Sequence, residues 1–153
     1  MDHALLYGDV AAAIALLAAG EPPDGLASLA GTGCTALHIA AAMGSAELTS
    51  ALLAAGADPN AADTDTETVL MWAAGLGHGH TVEMLLAAGA RHDAVTDLDG
   101  TALRWAVKSG DAPTVRVLLR SGADPHAPGV MSAAEYAGNA EIIAMIREAT
   151  AAV

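Results

Sequence analysis

The sequence predicts an all-α fold in which short helix-turn-helix units stack in a row and project β-hairpin or loop fingers from one side. Three markers repeating in step carry that expectation. The segments "TALHIAAAMG", "TVLMWAAGLG" and "TALRWAVKSG" begin at Thr35, Thr68 and Thr101, 33 residues apart. Leucine pairs follow at Leu52-Leu53, Leu85-Leu86 and Leu118-Leu119, and glycines close the units at Gly56, Gly89 and Gly122. A fixed period of this length marks a solenoid, in which no unit buries its apolar face alone.

Each unit reads as two helices and a finger. Thr35, Thr68 and Thr101 stand where a hydroxyl can accept from the free N–H groups of a first helical turn, and a glycine ends that helix at Gly44, Gly77 and Gly110. The second helix carries the leucine pair and stops at the next glycine, where a left-handed C-cap is cheap only without a side chain. The following stretch, such as "ADPNAADTDTE", is rich in turn formers and supplies the finger. Helices this short are marginal alone in water, so each must be covered by its neighbours. The composition suits close helix packing, with 54% apolar residues, no Phe, and alanines at Ala40, Ala41, Ala73, Ala74 and Ala106.

The ends align with the same register. "LLYGDVAAAIALLAAG" contains the Leu16-Leu17 pair and Gly20, giving an N-terminal unit over 1–24 with a truncated first helix. Its link to the next unit, through "PPDGLASLAGTG", is longer than the period requires, since Leu17 to Leu53 spans 36 residues. Three fuller units follow over 25–61, 62–94 and 95–127. In the C-terminal unit, 128–153, Ser132 and Glu135 form an expected capping box that shortens the first helix by about a turn. The whole chain, 1–153, is thus expected to be one domain of about five units.

The period, with "TALHIAAAMGSAEL", "LLAAGADPNAAD" and "LLRSGADPHA", resembles the ankyrin repeat family over residues 33–126. The family's "TPLH" tetrapeptide has Pro where this chain has Ala36, Val69 and Ala102. Its His survives only as His38, with Met71 and Arg104 in the equivalent places. The resemblance therefore implies an incomplete ladder of hydrogen bonds between units. It also implies contact surfaces at the finger tips and the exposed ends of the first helices: Cys34, Ala42 and Met43; Asp65, Glu67, Gly75 and Leu76; Asp97, Leu98, Lys108 and Ser109. A non-enzymatic protein-binding module is the expected function.

Charge narrows the partner. The formal net charge is -12, and residues 1–90 carry ten carboxylates with no Lys or Arg, against eight acids and six bases in 91–153. Such a field repels nucleic acid and anionic membranes and favours a protein partner with a basic surface. Against this stands the plainer reading that the charge serves solubility. No apolar run is long enough to span a bilayer, and Asp2 and Asp9 before the first one argue against a secretion signal. A single cysteine, Cys34, excludes an intrachain disulfide and favours a reducing compartment, so a cytoplasmic monomer is expected.

Other chemistry finds little support. His78 and His80 in "GLGHGH" suggest a shared metal, but His78 occupies the N-cap slot held elsewhere by Asp9, Ser45, Asp111 and Asn139. No further ligand follows at helical spacing. The acidic tips "DTDTE" and "DLDG" lack the glycine and distal Glu of a calcium loop, and no phosphate-cradling loop or nucleophile elbow is present. Neither metal nor cofactor is expected. Cys34, on the contact side and expected to be exposed, would need an activating base to act as a nucleophile.

Four residues past each cap stand Ile39, Trp72, Trp105 and Tyr136, a column that reads either as packing between units or as aromatic anchors in a groove. The binding surface assigned from sequence comprises Met43, Asp65, Glu67, Trp72, Leu76, Asp97, Leu98, Trp105 and Lys108. Within the same class, an inhibitor or antitoxin-like cover for a basic active site is the alternative. A cation- or redox-responsive sensor built on Cys34 and the acidic tips is the reading from a different class.

Overall fold

A computed structural model describes residues 10–23 and 32–152. The truncated first helix expected before Asp9, and most of the long link through "PPDGLASLAGTG", lie outside the described residues. The helices, in order, are α1 (Val10–Ala18), α2 (Ala36–Met43), α3 (Ala46–Ala54), α4 (Val69–Gly75), α5 (Gly79–Ala87), α6 (Ala102–Ser109), α7 (Ala112–Arg120), α8 (Val130–Ala137) and α9 (Ala140–Ala151). First helices pack on first helices along α2, α4, α6 and α8, and second helices on second helices along α1, α3, α5, α7 and α9. The core is therefore a pair of parallel rows, and among the described residues each unit packs mainly on its neighbours.

The leucine column lies where the period places it. Leu52, Leu85 and Leu118 have no exposed surface, while their partners Leu53, Leu86 and Leu119 pack at the core's margin. Alanines Ala40, Ala41, Ala73, Ala74 and Ala106 are likewise fully covered, which permits close approach of the first-helix row. One column holds a mismatch. Thr49, Val82 and Val115 share a register and are all fully buried, yet the Thr49 hydroxyl has no hydrogen-bond partner. Replacing it by the isosteric residue its neighbours already use, Thr49→Val, is expected to stabilise the protein by about 1 kcal/mol, read as a raised melting temperature, because an orphaned buried hydroxyl is removed.

The caps follow the sequence with one variation. Thr68 and Thr101 accept from Met71 N–H and Arg104 N–H at 3.3 and 3.2 Å. Thr35 instead engages His38. Both its N–H and its hydroxyl lie at hydrogen-bond distance from Nδ1, at 3.1 and 3.0 Å. Ser45 and Asp111 cap their second helices by accepting from Leu48 N–H and Thr114 N–H. His78 occupies the expected N-cap position of α5 but does not cap it. Its Nε2–H reaches back to Ala42 O at 3.1 Å, so it ties one unit to the preceding one. That ring lies on Gly44, whose φ is +64°, and a Cβ there would stand 2.6 Å from Nδ1. His80 is exposed and faces only Glu83, at 3.7 Å.

The C-terminal unit departs from its expected form. Helix α8 begins after Gly129, so Ser132 lies inside it and donates to Gly129 O at 3.2 Å rather than capping. The helix has 8 residues, as do α2 and α6. The unit is short because Gly122 is followed directly by "ADPHAPG", with no finger. The local Ser-x-x-Glu pattern is overruled because Val130 and Ala134 are fully buried, and packing of α8 on α6 sets where the helix starts.

Candidate functional site

Among the described residues two fingers remain, at 63–67 and 96–100, and each is a tight hairpin tip. In the first, Asp63 N–H donates to Glu67 O and Thr66 N–H to Asp63 O, at 3.0 and 3.1 Å. In the second, Thr96 N–H donates to Gly100 O and Asp99 N–H to Thr96 O, at 2.9 and 3.0 Å. Thr66 and Asp99, in equivalent places, take the left-handed conformation at φ 61° and 57° that closes a type I turn with a bulge. Such a φ is unusual for a β-branched residue. Thr66 also accepts Asp97 N–H on its hydroxyl at 3.1 Å, which joins the two fingers.

One carboxylate organises the first tip. Asp63 Oδ1 accepts from Asp65 N–H and Glu67 N–H at 2.9 and 3.0 Å, and its Oδ2 accepts the Trp72 indole N–H at 3.1 Å. In the second finger Thr96 takes this place, and its hydroxyl accepts only Gly100 N–H, at 2.9 Å. The indole of Trp105, equivalent to that of Trp72, is left with a buried N–H and no acceptor. Lys108 lays its ammonium over this ring, 4.3 Å from the centroid.

Between the fingers and α6 lies a cavity of about 440 Å³. The finger wall contributes Asp65, Glu67, Asp97 and Leu98, and α6 contributes Arg104, Trp105 and Lys108. A family model described as ankyrin repeats (3 copies) matches residues 1–96 and 37–129, which together span most of the chain. The chain belongs to the ankyrin repeat family. No curated protein matches it at a significant level. Ankyrin repeats are protein–protein interaction modules, and their proteins are typically non-enzymatic.

Of the nine residues assigned to the surface from sequence, the ankyrin stack brings Asp65, Glu67, Asp97, Leu98, Trp105 and Lys108 together around this cavity. Met43 and Leu76 are exposed but do not line it. Trp72 is turned away, with its ring packed edge-on against His38 at a centroid distance of 5.4 Å and its N–H held by Asp63. The expected aromatic column breaks at its end. Tyr136 is 96% exposed, because the true start of α8 moves Ala133 into the packed position. Tyr136 instead lines a neighbouring cavity of about 360 Å³ with Arg104, Lys108 and Ser132. Arg104, common to both cavities, was legible only as a departure from "TPLH"; it donates to Leu98 O and Asp99 O at 3.4 Å.

Cys34 is 8% exposed, contrary to its expected accessibility. The following finger closes over this edge: Thr64 N–H donates to Thr32 O at 2.9 Å, and Asp63 and Thr64 lie against Gly33. Among the described residues no group of three or more His, Cys, Asp or Glu side chains is placed to hold a metal ion. No helix there is long and apolar enough to cross a membrane.

His38 shows what the family tetrapeptide does here. With Nδ1 taken by Thr35 N–H, the proton sits on Nε2, which donates to Glu67 O at 3.3 Å in the next unit. The ladder ends there. Met71 Sδ accepts Thr68 N–H at 3.5 Å but has no second polar atom to pass on. Burial, and then the negative charges of Asp63 and Asp65, hold the Glu67 carboxyl above its ordinary range, with Lys108 and the Trp72 indole acting in the opposite direction.

The two indoles give a matched test. Trp72→Phe removes a hydrogen bond to a carboxylate and is expected to cost about 2 kcal/mol, whereas Trp105→Phe removes an N–H without a partner and is expected to cost about 1 kcal/mol less. Equal losses in chemical denaturation would contradict the assigned roles of Asp63 and Thr96.

Proposed function

We propose that this ankyrin array is a non-enzymatic interaction module that binds a protein partner of basic character through its concave groove and finger tips. The observation that supports the reading is the cavity between the fingers and α6, where Asp65, Glu67 and Asp97 stand around Leu98 and Trp105. Three carboxylates on one wall favour a cationic contact, and an exposed leucine beside an indole offers the apolar anchor typical of interface hot spots. Leu98 is 85% exposed, so nearly all of its apolar surface is open to a partner. Met43 and Leu76, on the exposed ends of α2 and α4, extend the same face toward the N-terminal units. In this reading the chain acts as one domain of about five units, a cytoplasmic monomer, with electrostatics setting its association rate.

The test is affinity capture at low salt with the native chain and with the double variant Asp65→Lys, Glu67→Lys. Capture of the same protein should fall at least about tenfold in the variant. Undiminished capture would remove the fingers from the binding surface. Both residues belong to the finger and are held there by their backbone N–H groups on Asp63, which the substitutions keep, so the helical circular dichroism should be unchanged.

A further inference from the structure

The groove is not uniformly acidic. Its finger wall presents carboxylates from Asp65, Glu67 and Asp97, while α6 presents the cations Arg104 and Lys108 beside the Trp105 ring, whose indole N–H is buried without an acceptor. The Lys108 charge acts on the Glu67 carboxyl, yet among the described residues no ion pair joins the two walls. The ion pairs among the described residues are His80–Glu83, Arg91–Asp93 and Arg116–Glu141, all outside the cavity. Lys108 spends its charge on the face of Trp105 and is exposed. Arg104 reaches only the two carbonyls Leu98 O and Asp99 O, at the long distance of 3.4 Å.

An extended chain fits such a pair of walls in a particular way. Its successive side chains point to opposite sides, so a strand running between the fingers and α6 turns one residue toward the carboxylates and the next toward the cations. We infer that the groove recognises an extended partner segment in which Lys or Arg alternates with Asp or Glu around an apolar residue that covers Leu98. The inference rests on the proposed groove and refines its partner, which is charge-alternating at the contact rather than basic throughout. A purely basic segment meets repulsion from Arg104 and Lys108, and like charges placed together are how interfaces reject wrong partners.

Three capped synthetic peptides of equal length, each with a central leucine, test this: one alternating Lys and Glu, one with Lys at every charged position, and one with Glu at every charged position. Binding is measured at roughly 0.15 M salt, where the Debye length of about 8 Å screens the general attraction of an acidic protein for cations. The alternating peptide should bind about tenfold more tightly than either of the others. Lys108→Glu should weaken the alternating peptide and strengthen the all-Lys peptide, and Lys108→Gln should lie between. All-Lys binding equal to or tighter than alternating binding, with Lys108→Glu strengthening both, would overturn the inference and leave the groove standing. Binding unaffected by Lys108→Glu and by Asp97→Lys, or absent for all three peptides, would overturn it as well; only insensitivity of partner capture to Asp65→Lys, Glu67→Lys would remove the groove itself.

Discussion

Leu85→Ala is expected to destabilise the protein by about 2–5 kcal/mol, read as a lower urea midpoint. The side chain has no exposed surface and sits in the middle of the second-helix row, where α5 packs against α3, α4 and α7. Truncation leaves a cavity that short helices on three sides cannot close without giving up their own contacts. The equivalent change at Leu86, which lies at the core's margin, should cost clearly less. In a solenoid, stability is a sum of unit and neighbour terms, so a loss of this size in a central unit weakens both junctions at once. A smaller denaturant slope in the variant would report that the two halves had begun to unfold separately.

His38→Leu is expected to cost about 2–4 kcal/mol at neutral pH and to flatten the acid side of the stability profile. The fully buried ring satisfies Thr35 N–H, which leucine strands, and adds a second bond to Glu67 O, which then keeps only that from Asp63 N–H. Burial lowers its pKa below the ordinary 6.5, outweighing the Glu67 carbonyl and the charge of Asp63, which raise it. The unfolded chain then binds a proton that the folded chain refuses. Stability is fully present above about 6.5 and falls as the pH drops through that value toward the lower folded one, at up to about 1.4 kcal/mol per pH unit. Glu67 acts in the opposite direction at lower pH: its raised folded pKa favours the folded state in acid and loses that advantage as the pH rises through its range. Thermal melts of the native chain and of His38→Leu between pH 8 and 5 separate the two effects, since only the native chain should lose stability near 6.5.

What the sequence discloses is what repeats. Thr35, Thr68 and Thr101, the leucine pairs and the closing glycines are periodic because packing between units is periodic, so one chain carries several copies of the same evidence. What it hides are contacts made between units by residues that break the period. The burial of Cys34 depends on Thr64 meeting Thr32, two residues in different units. Trp72 and Trp105 share a register, and their difference comes from Asp63 in one finger against Thr96 in the other. In the last unit a local capping pattern at Ser132 competes with the packing of Val130 and Ala134, and the packing prevails. The same capping pattern places Tyr136 in the column of Ile39, Trp72 and Trp105, whereas it stands in the open beside Arg104 and Lys108.

The finger tips were legible from composition, and Asp65, Glu67, Asp97 and Leu98 lie together as the register implies. The cationic wall was not. Arg104 stands where the family places histidine, and nothing local marks a side chain that replaces an internal hydrogen bond with a surface charge. The acidic bias of residues 1–90 is a property of composition, whereas the cavity between the fingers and α6 is lined by side chains of both signs.

The most direct measurement is a nuclear magnetic resonance titration of the two indole N–H signals with the protein recovered by low-salt capture. The Trp105 signal should move strongly, since its ring lines the cavity and no acceptor fixes its N–H, while the Trp72 signal, fixed by Asp63, should move little. Two stationary indoles, with backbone shifts confined to the second-helix row of α5, α7 and α9, would place the partner on the opposite face and contradict it.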